Sequence, residues 1–513
     1  MGVAVSVTPR IRYGVLLPPL VPLLVCAILS LYDPEALLRG ASGASTWILR
    51  RFDWLFSWST AAYLVLLAFT YVSPLGATVI GGSGSRPLLS PWRWFAVTAC
   101  TTIATGILFW GIAEPIYHHS DPPPAGVDDP AVFALSTLYL HWTLTPYGIY
   151  TVGGLLFALG FYNHGQPFSL TTLLRPALGR KVHHRGGAVV DALCLFALVA
   201  GMAAALGAGS LALLGGIQQY FGAGAGATPV TLAVVIFTIV LAFSVSAATG
   251  LQRGIRILSN YNIIGFLLLA GFVLVAGPLG QTTQLAYRAA GDFVAHFVPR
   301  SLGLDAGLPA EWTDAWTSFY WANWYAWAPI TALFLGRLAR GYSVRRFIEL
   351  NLLCTSLFGA GWMIAFGGTA LVLDETSGGT LSAALSEVGP EAVAYVLLAQ
   401  LPAVGLTALL FLCLIFLSYV TAADSNVSAM SALCVRDIRP DSPEAPLVVK
   451  LLWAVVIGLT SWVLVSFAGL DGIRLISTLG GFPAMLLFLV AAAGLLRLAL
   501  KSYRTGNNQG PQS

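Results

Sequence analysis

The sequence predicts an all-α, polytopic membrane protein, and three observations lead there. Of its 513 residues, 57% are hydrophobic and only 9% charged, where a soluble domain carries about 25% charged residues. Mean hydropathy is +0.79. Apolar runs of about 20 residues, the length that crosses a bilayer core, recur along the chain, with basic residues gathered in alternate loops. The net charge of +4 is no nucleic-acid footprint, because Lys and Arg are scattered between apolar spans.

Twelve spans are predicted, at about 13–32, 53–73, 91–117, 132–160, 188–217, 229–249, 257–278, 313–337, 346–373, 396–428, 447–467 and 475–499. The first lacks a small-residue cleavage site and reads as a retained span rather than a signal peptide. With both termini cytoplasmic, about 20 of the 26 Lys and Arg fall on the cytoplasmic side. These include Arg175, Arg180 and Lys181, then Arg253 with Arg256, and Arg337 through Arg346. The opposite loop at 118–131 holds Asp121, Asp128 and Asp129 without a Lys or Arg. Between spans seven and eight, residues 283–297 alternate polar and apolar positions at helical spacing, which predicts an amphipathic helix on the outer surface. The chain divides accordingly into a tail (1–12), two peripheral spans (13–90), five spans (91–278), the outer loop (279–312), five more spans (313–499) and a second tail (500–513). Six cysteines lie in or beside apolar runs, with neither metal-ligand spacing nor a disulfide framework.

The eighth span carries the most specific chemistry. In Phe319-Tyr-Trp-Ala-Asn-Trp-Tyr-Ala-Trp-Ala-Pro329, Trp321, Trp324 and Trp327 recur every third residue and climb one broad stripe. Clustered aromatic faces attract a cation that cannot hydrogen-bond, such as trimethylammonium. The alternative is an interfacial aromatic belt, but a belt occupies about one turn and this cluster runs on toward the middle of the span. In the third span, Cys100-Thr-Thr-Ile-Ala-Thr-Gly106 concentrates small residues, which suits either local unwinding around a coupling ion or close helix packing. Glu114, before Pro115, reads as an interfacial terminus, with a gating or coupling role as the alternative. The fourth span places Trp142, Tyr147 and Tyr150 within about two turns, with Pro146 interrupting the backbone ladder. His141 beside them reads as a packed, hydrogen-bonded histidine rather than a proton carrier.

These segments, with Arg253-Gly-Ile-Arg-Ile-Leu-Ser-Asn260 and Val420-Thr-Ala-Ala-Asp-Ser425, resemble the betaine/choline/carnitine transporter family in the right order over nearly the whole chain. The resemblance implies LeuT-like inverted five-helix repeats, spans 3–7 and 8–12, after two extra N-terminal helices. It implies a substrate site near mid-membrane, with Trp142, Tyr150 and Trp324 forming an aromatic box and Tyr147 adding to it. Phe319 and Trp327 match a second aromatic group on the cytoplasmic route. Homotrimers, a plasma-membrane location, a quaternary ammonium substrate and contact with lipid are further expectations from the family.

Departures from the family pattern matter too. Asn323 replaces the first Trp of a Trp-Trp pair and brings an amide able to meet a substrate carboxylate or hydroxyl, or simply to pack. The glycine-rich motif of span 3 keeps only Gly106. Family sodium sites use span 3 carbonyls, here around Ile103, with Thr and Ser hydroxyls in span 10. The matching pair is Thr421 and Ala422, so one oxygen is missing, and Ile330 replaces an aromatic at a second site. Losing a hard ligand weakens a small-cation site. Sodium-independent transport, by proton coupling or substrate exchange, is therefore expected ahead of sodium symport, with Asp424 and Glu114 as carboxylate candidates. Near mid-span, no Arg obviously waits to meet a substrate carboxylate.

The leading function is uptake of a quaternary ammonium solute: glycine betaine or carnitine, with choline close behind. An amino-acid transporter of the same architecture is disfavoured, since a primary amine needs hydrogen-bond acceptors that an aromatic cage lacks. A membrane sensor would need an output domain and a channel would lack saturable exchange, while an ATP-driven pump would need a nucleotide-binding loop, of which the sequence shows none. An enzyme is not expected: His118-His119 and His183-His184 read as loop residues without metal-ligand spacing. No cofactor or metal is assigned beyond Na+ or H+ as coupling ion. The short tails offer little osmosensing machinery.

Overall fold

The computed structural model describes residues 10–123, 127–182, 186–221, 227–248, 252–305, 307–436, 438 and 445–507. His183 and His184, with residues 1–9 and 508–513 of the two tails, lie outside them. Among these residues the chain is helical, with two isolated backbone bridges, Ile11–Val435 and Val79–Ser343. Eight helices are long and apolar enough to cross a membrane, and nine if one bent pair counts as a span.

The first helices are α1 (Tyr13–Tyr32), α2 (Pro34–Val72), and the bent pair α3 (Pro91–Thr102) and α4 (Ala104–Ser120). α2 begins well before the expected span at 53, because Asp33 accepts from the Ala36 N–H and Pro34 sits at the first helical position, both strong start signals. A second interrupted pair follows, α5 (Pro130–Trp142) and α6 (Leu144–Ala158), then α7 (Thr171–Leu178), α8 (Gly186–Phe221), α9 (Pro229–Ala248), α10 (Gln252–Ala276) and α11 (Leu279–Ser301). α11 is the expected amphipathic helix, longer at both ends. Its Leu285, Ala286 and Ala289 are buried where it packs on α5, and Arg288 pairs with Asp129, the N-cap of α5.

The second half contains α12 (Ala310–Thr313), α13 (Phe319–Leu338), and α14 (Val344–Ile348), α15 (Thr355–Trp362) and α16 (Thr369–Thr376) in one run joined by wider π turns. Then come α17 (Thr380–Glu387), α18 (Pro390–Ala399), α19 (Val404–Leu433) and α20 (Leu447–Asn507). The expected span 396–428 is divided: helix stops at Ala399, and the chain turns through Pro402 and Ala403, whose φ is +56°, before α19 starts. A proline disfavours helix in the residue before it. α20 merges two expected spans and breaks at Gly469 (φ 52°, ψ −134°), a conformation glycine adopts without penalty.

α9 shows why composition alone indicated a membrane. One stripe, Leu232, Ile236, Ile239 and Phe243, is buried, while Val230, Val234, Phe237, Leu241 and Val245 face outward. A helix apolar on every side is stable only where its outer face meets lipid. By contrast the α5–α6 region is almost wholly buried. α13 packs against α6, α20 and α8, and α19 against α3 and α4, so the two interrupted helix pairs and α13 meet at the centre.

Candidate functional site

Two backbone interruptions build the site. The small-residue run of the third span breaks at Ile103 (φ −128°, ψ −29°), and the segments on either side diverge by 59°. The fourth span breaks at Thr143 (φ −114°, ψ −123°), because Pro146 has no N–H for the Trp142 carbonyl and its ring crowds that oxygen. The neighbouring His141 carbonyl instead accepts the Trp324 indole N–H at 3.0 Å, which ties α13 to the break.

A cavity of about 50 Å³ lies between these elements. Ile103, Gly106 and Trp110 line one side and Trp142 another; α13 contributes Phe319, Tyr320, Asn323, Trp324 and Trp327, and α20 contributes Ile473. Trp142 and Trp324 meet edge to face, centroids 5.0 Å apart, and Tyr150 meets Trp324 the same way at 6.2 Å. Trp142 and Trp324 therefore form the cavity wall, while Tyr150 backs Trp324. Tyr147 stands farther off, 6.5 Å from Tyr150. Trp142 lies so close to the first break that a Cβ on Gly106 would come within 2.8 Å of its ring. With the two indoles in contact, a cation enters between them only when they part.

Phe319 and Trp327 both line the cavity but do not form one group. Eight residues separate them on α13, about 12 Å along its axis. Phe319 shares its end with Arg474, whose guanidinium carbon lies 5.7 Å from the Phe319 ring and 5.0 Å from that of Trp316. Arg474 follows the Gly469 break in α20, in a stretch expected as a loop between two spans. Asn323 lines the cavity while its amide oxygen accepts from Ser477 at 3.0 Å, which joins α13 to α20.

Glu114 departs most from expectation: it is fully buried rather than interfacial. α4 runs on past Pro115 to Ser120, and the bend at Ile103 uses up length that a straight helix would have spent crossing the bilayer. Oε2 accepts from the Trp142 indole at 2.7 Å and from the Tyr320 hydroxyl. His141 Nδ1 lies 2.6 Å from Oε1, and its Nε2 3.1 Å from the Thr317 hydroxyl. His118, expected in a loop, is buried in the last turn of α4 with Nε2 3.5 Å from Oε1, too long for a good hydrogen bond. The candidate ligand atoms of Glu114, His118 and His141 all lie within 4.8 Å of one another. Both Glu114 oxygens are already engaged, so the cluster works as a hydrogen-bond network holding two cavity walls. Tyr320, which stacks on His141 at 4.4 Å, was not singled out by the sequence reading.

The coupling candidates are dispersed. Ile103 lines the cavity. The Thr421 hydroxyl donates to the Leu417 and Ser418 carbonyls of its own helix, which leaves its lone pairs able to accept a cation. Ala422 and Ile330 are buried and offer no side-chain oxygen. Asp424 is buried and accepts from Ser246 at 2.7 Å, a bond joining α9 to α19.

The chain matches the betaine/carnitine/choline family transporter model over residues 14–504. It is 27% identical to a probable glycine betaine transporter of Desulfitobacterium hafniense (strain Y51), covering 93% of this chain and 95% of that one. It is 29% identical to the glycine betaine transporter OpuD of Bacillus subtilis (strain 168), covering 92% and 91%. It is also 29% identical to the high-affinity choline transport protein of Escherichia coli (strain K12), covering 89% and 68%. A solved Na+-coupled sialic acid symporter shares the fold, with a TM-score of 0.50 at 14% identity over 85% of this chain and 86% of that one. With a match that runs from the first helix into the last, the chain belongs to the betaine/carnitine/choline transporter family, and it is a multi-pass membrane transporter, not an enzyme.

Proposed function

We propose that this transporter carries a zwitterionic quaternary ammonium solute, glycine betaine or carnitine ahead of choline, across the plasma membrane by alternating access. The observation that carries the reading is the edge-to-face meeting of Trp142 and Trp324 at 5.0 Å beside two helix breaks. A trimethylammonium group has no hydrogen bonds to lose on leaving water, and each aromatic face contributes about 0.5–2 kcal/mol to holding it. Loading parts the indoles; Tyr150, behind Trp324, limits how far that ring retreats.

In this reading twelve spans cross the membrane with both termini cytoplasmic, 91–278 and 313–499 form the inverted repeats, and the protomer assembles as a trimer. Transport is coupled to protons or to substrate exchange. Supporting that, Ala422 and Ile330 supply no side-chain oxygen to a sodium ion, while Glu114 sits one hydrogen bond from the cage ring of Trp142. Sodium symport remains the second reading, favoured by the free lone pairs of Thr421 and the interruption at Ile103.

Trp324→Ala tests the cage. The variant is expected to reach the membrane and lose saturable uptake; normal uptake would sink the assignment. Competition by betaine but not by glycine would separate this substrate class from amino acids.

A further inference from the structure

Beside the cavity stands an arginine with no ion-pair partner among the described residues. Arg474 sits next to Ile473, a lining residue, and its guanidinium stands over the rings of Trp316 at 5.0 Å and Phe319, also lining, at 5.7 Å. Its Nε is buried and has no hydrogen-bond partner among the described residues. No described carboxylate forms an ion pair with it: Asp471, one turn earlier on the same helix, is exposed, and both Glu114 oxygens are occupied by bonds to Trp142, Tyr320 and His141.

A buried guanidinium donor without an acceptor is costly, and a planar fork of N–H groups matches a carboxylate in geometry as well as charge. The sign of the charge also matters. An arginine without an ion-pair partner beside the cavity favours a solute that brings a carboxylate over one that carries only positive charge. The orientation suits a zwitterion. Phe319, under Arg474, lies five residues from Trp324, about 7.5 Å along α13. A solute with its ammonium head at Trp142 and Trp324 would thus extend its other end toward the arginine.

We infer that Arg474 is a specificity-determining residue, the receptor for the substrate carboxylate, and that it selects zwitterionic quaternary ammonium solutes over choline. Asn323, on the same cavity surface and held by Ser477, supplies a neutral amide beside the path between the two subsites. The inference rests on the cage reading above, because it takes the ammonium head to occupy Trp142 and Trp324.

The test is equilibrium binding of glycine betaine, carnitine and choline to the purified full-length protein, read by tryptophan fluorescence, in wild type, Arg474→Gln and Arg474→Lys. Wild type is expected to prefer the two zwitterions. Arg474→Gln should weaken both by roughly 10- to 100-fold, the range of a lost charge-assisted hydrogen bond, and leave choline unchanged or tighter. Arg474→Lys, which keeps the charge without the fork, should fall between. Equal weakening for all three ligands in both variants would mark a packing role and overturn the inference, as would unchanged zwitterion affinity in Arg474→Gln. Wild-type protein that binds none of the three would sink the cage reading and this inference with it. Wild-type binding without a zwitterion-selective loss would overturn this inference alone.

Discussion

Replacing Glu114 should separate its hydrogen bonding from its charge. Glu114→Ala strands three groups: the Trp142 N–H, the Tyr320 O–H and the Nδ1 side of His141. An orphaned buried polar group costs about 1–3 kcal/mol, and interhelical hydrogen bonds within membranes average about 0.6 kcal/mol. Three of them give about 2–9 kcal/mol, a large share of a fold stable by about 5–15 kcal/mol. Glu114→Gln can keep every partner. Its amide oxygen takes the place of Oε2 and accepts from Trp142 and Tyr320, while its NH2 faces His141, which turns Nδ1 into an acceptor and keeps a donor for Thr317. Only the charge-assisted part is lost, about 1–2 kcal/mol. The assay is the thermal midpoint of the detergent-purified protein, paired with binding of betaine. The expected order is wild type, then Gln slightly lower, then Ala far lower, with the Ala variant also losing affinity as Trp142 comes adrift. A Gln variant as unstable as Ala, or an Ala variant with an unchanged midpoint, would refute the network.

Further expectations concern the first break and the outer helix. Gly106→Ala places a methyl 2.8 Å from the Trp142 ring, so the indole must shift; betaine affinity, followed by tryptophan fluorescence, should fall about thirtyfold, near the middle of an overpacking cost of about 1–3 kcal/mol, while expression persists. Asp129, outside the spans, is held below the ordinary carboxylate range: partial burial raises it, but the Val132 N–H and Arg288 more than offset that. Its folded value is depressed, so its contribution is present above about pH 4 and lost as pH falls below that value. Asp129→Asn keeps a competent helix cap but loses the pair with Arg288. Thermal midpoints measured between pH 3 and 6 should show a shallower acid decline, with a loss at neutral pH of about 1 kcal/mol or less, as befits a half-exposed pair.

Local signals were legible in the sequence, and long-range pairings were not. The interruption at Ile103 follows from a run of small residues, that at Thr143 from Pro146, and α11 from its period; each is visible within one or two turns of chain. Glu114 shows the limit. Beside a proline, at the end of a run already long enough to cross a bilayer, it looks like a terminus. What buries it are residues 27, 28 and 206 positions away: His141, Trp142 and Tyr320. His118 looked polar and loop-like for the same reason. Arg474 was hidden because hydropathy assigned it to a connection, whereas the break at Gly469 turns the chain so that Ile473 reaches the cavity. Ala403 marks a third case, where an apolar stretch concealed a turn that Pro402 alone signalled.

Uptake of labelled glycine betaine, carnitine and choline into proteoliposomes, with an imposed sodium gradient, an imposed proton gradient or unlabelled substrate inside, tests the central claim most directly. Saturable accumulation of a zwitterion, driven by protons or internal substrate without sodium and lost in Trp324→Ala, is the predicted result. Uptake of none of the three solutes, or uptake indifferent to Trp324, would contradict the account, and accumulation driven by sodium alone would overturn its coupling.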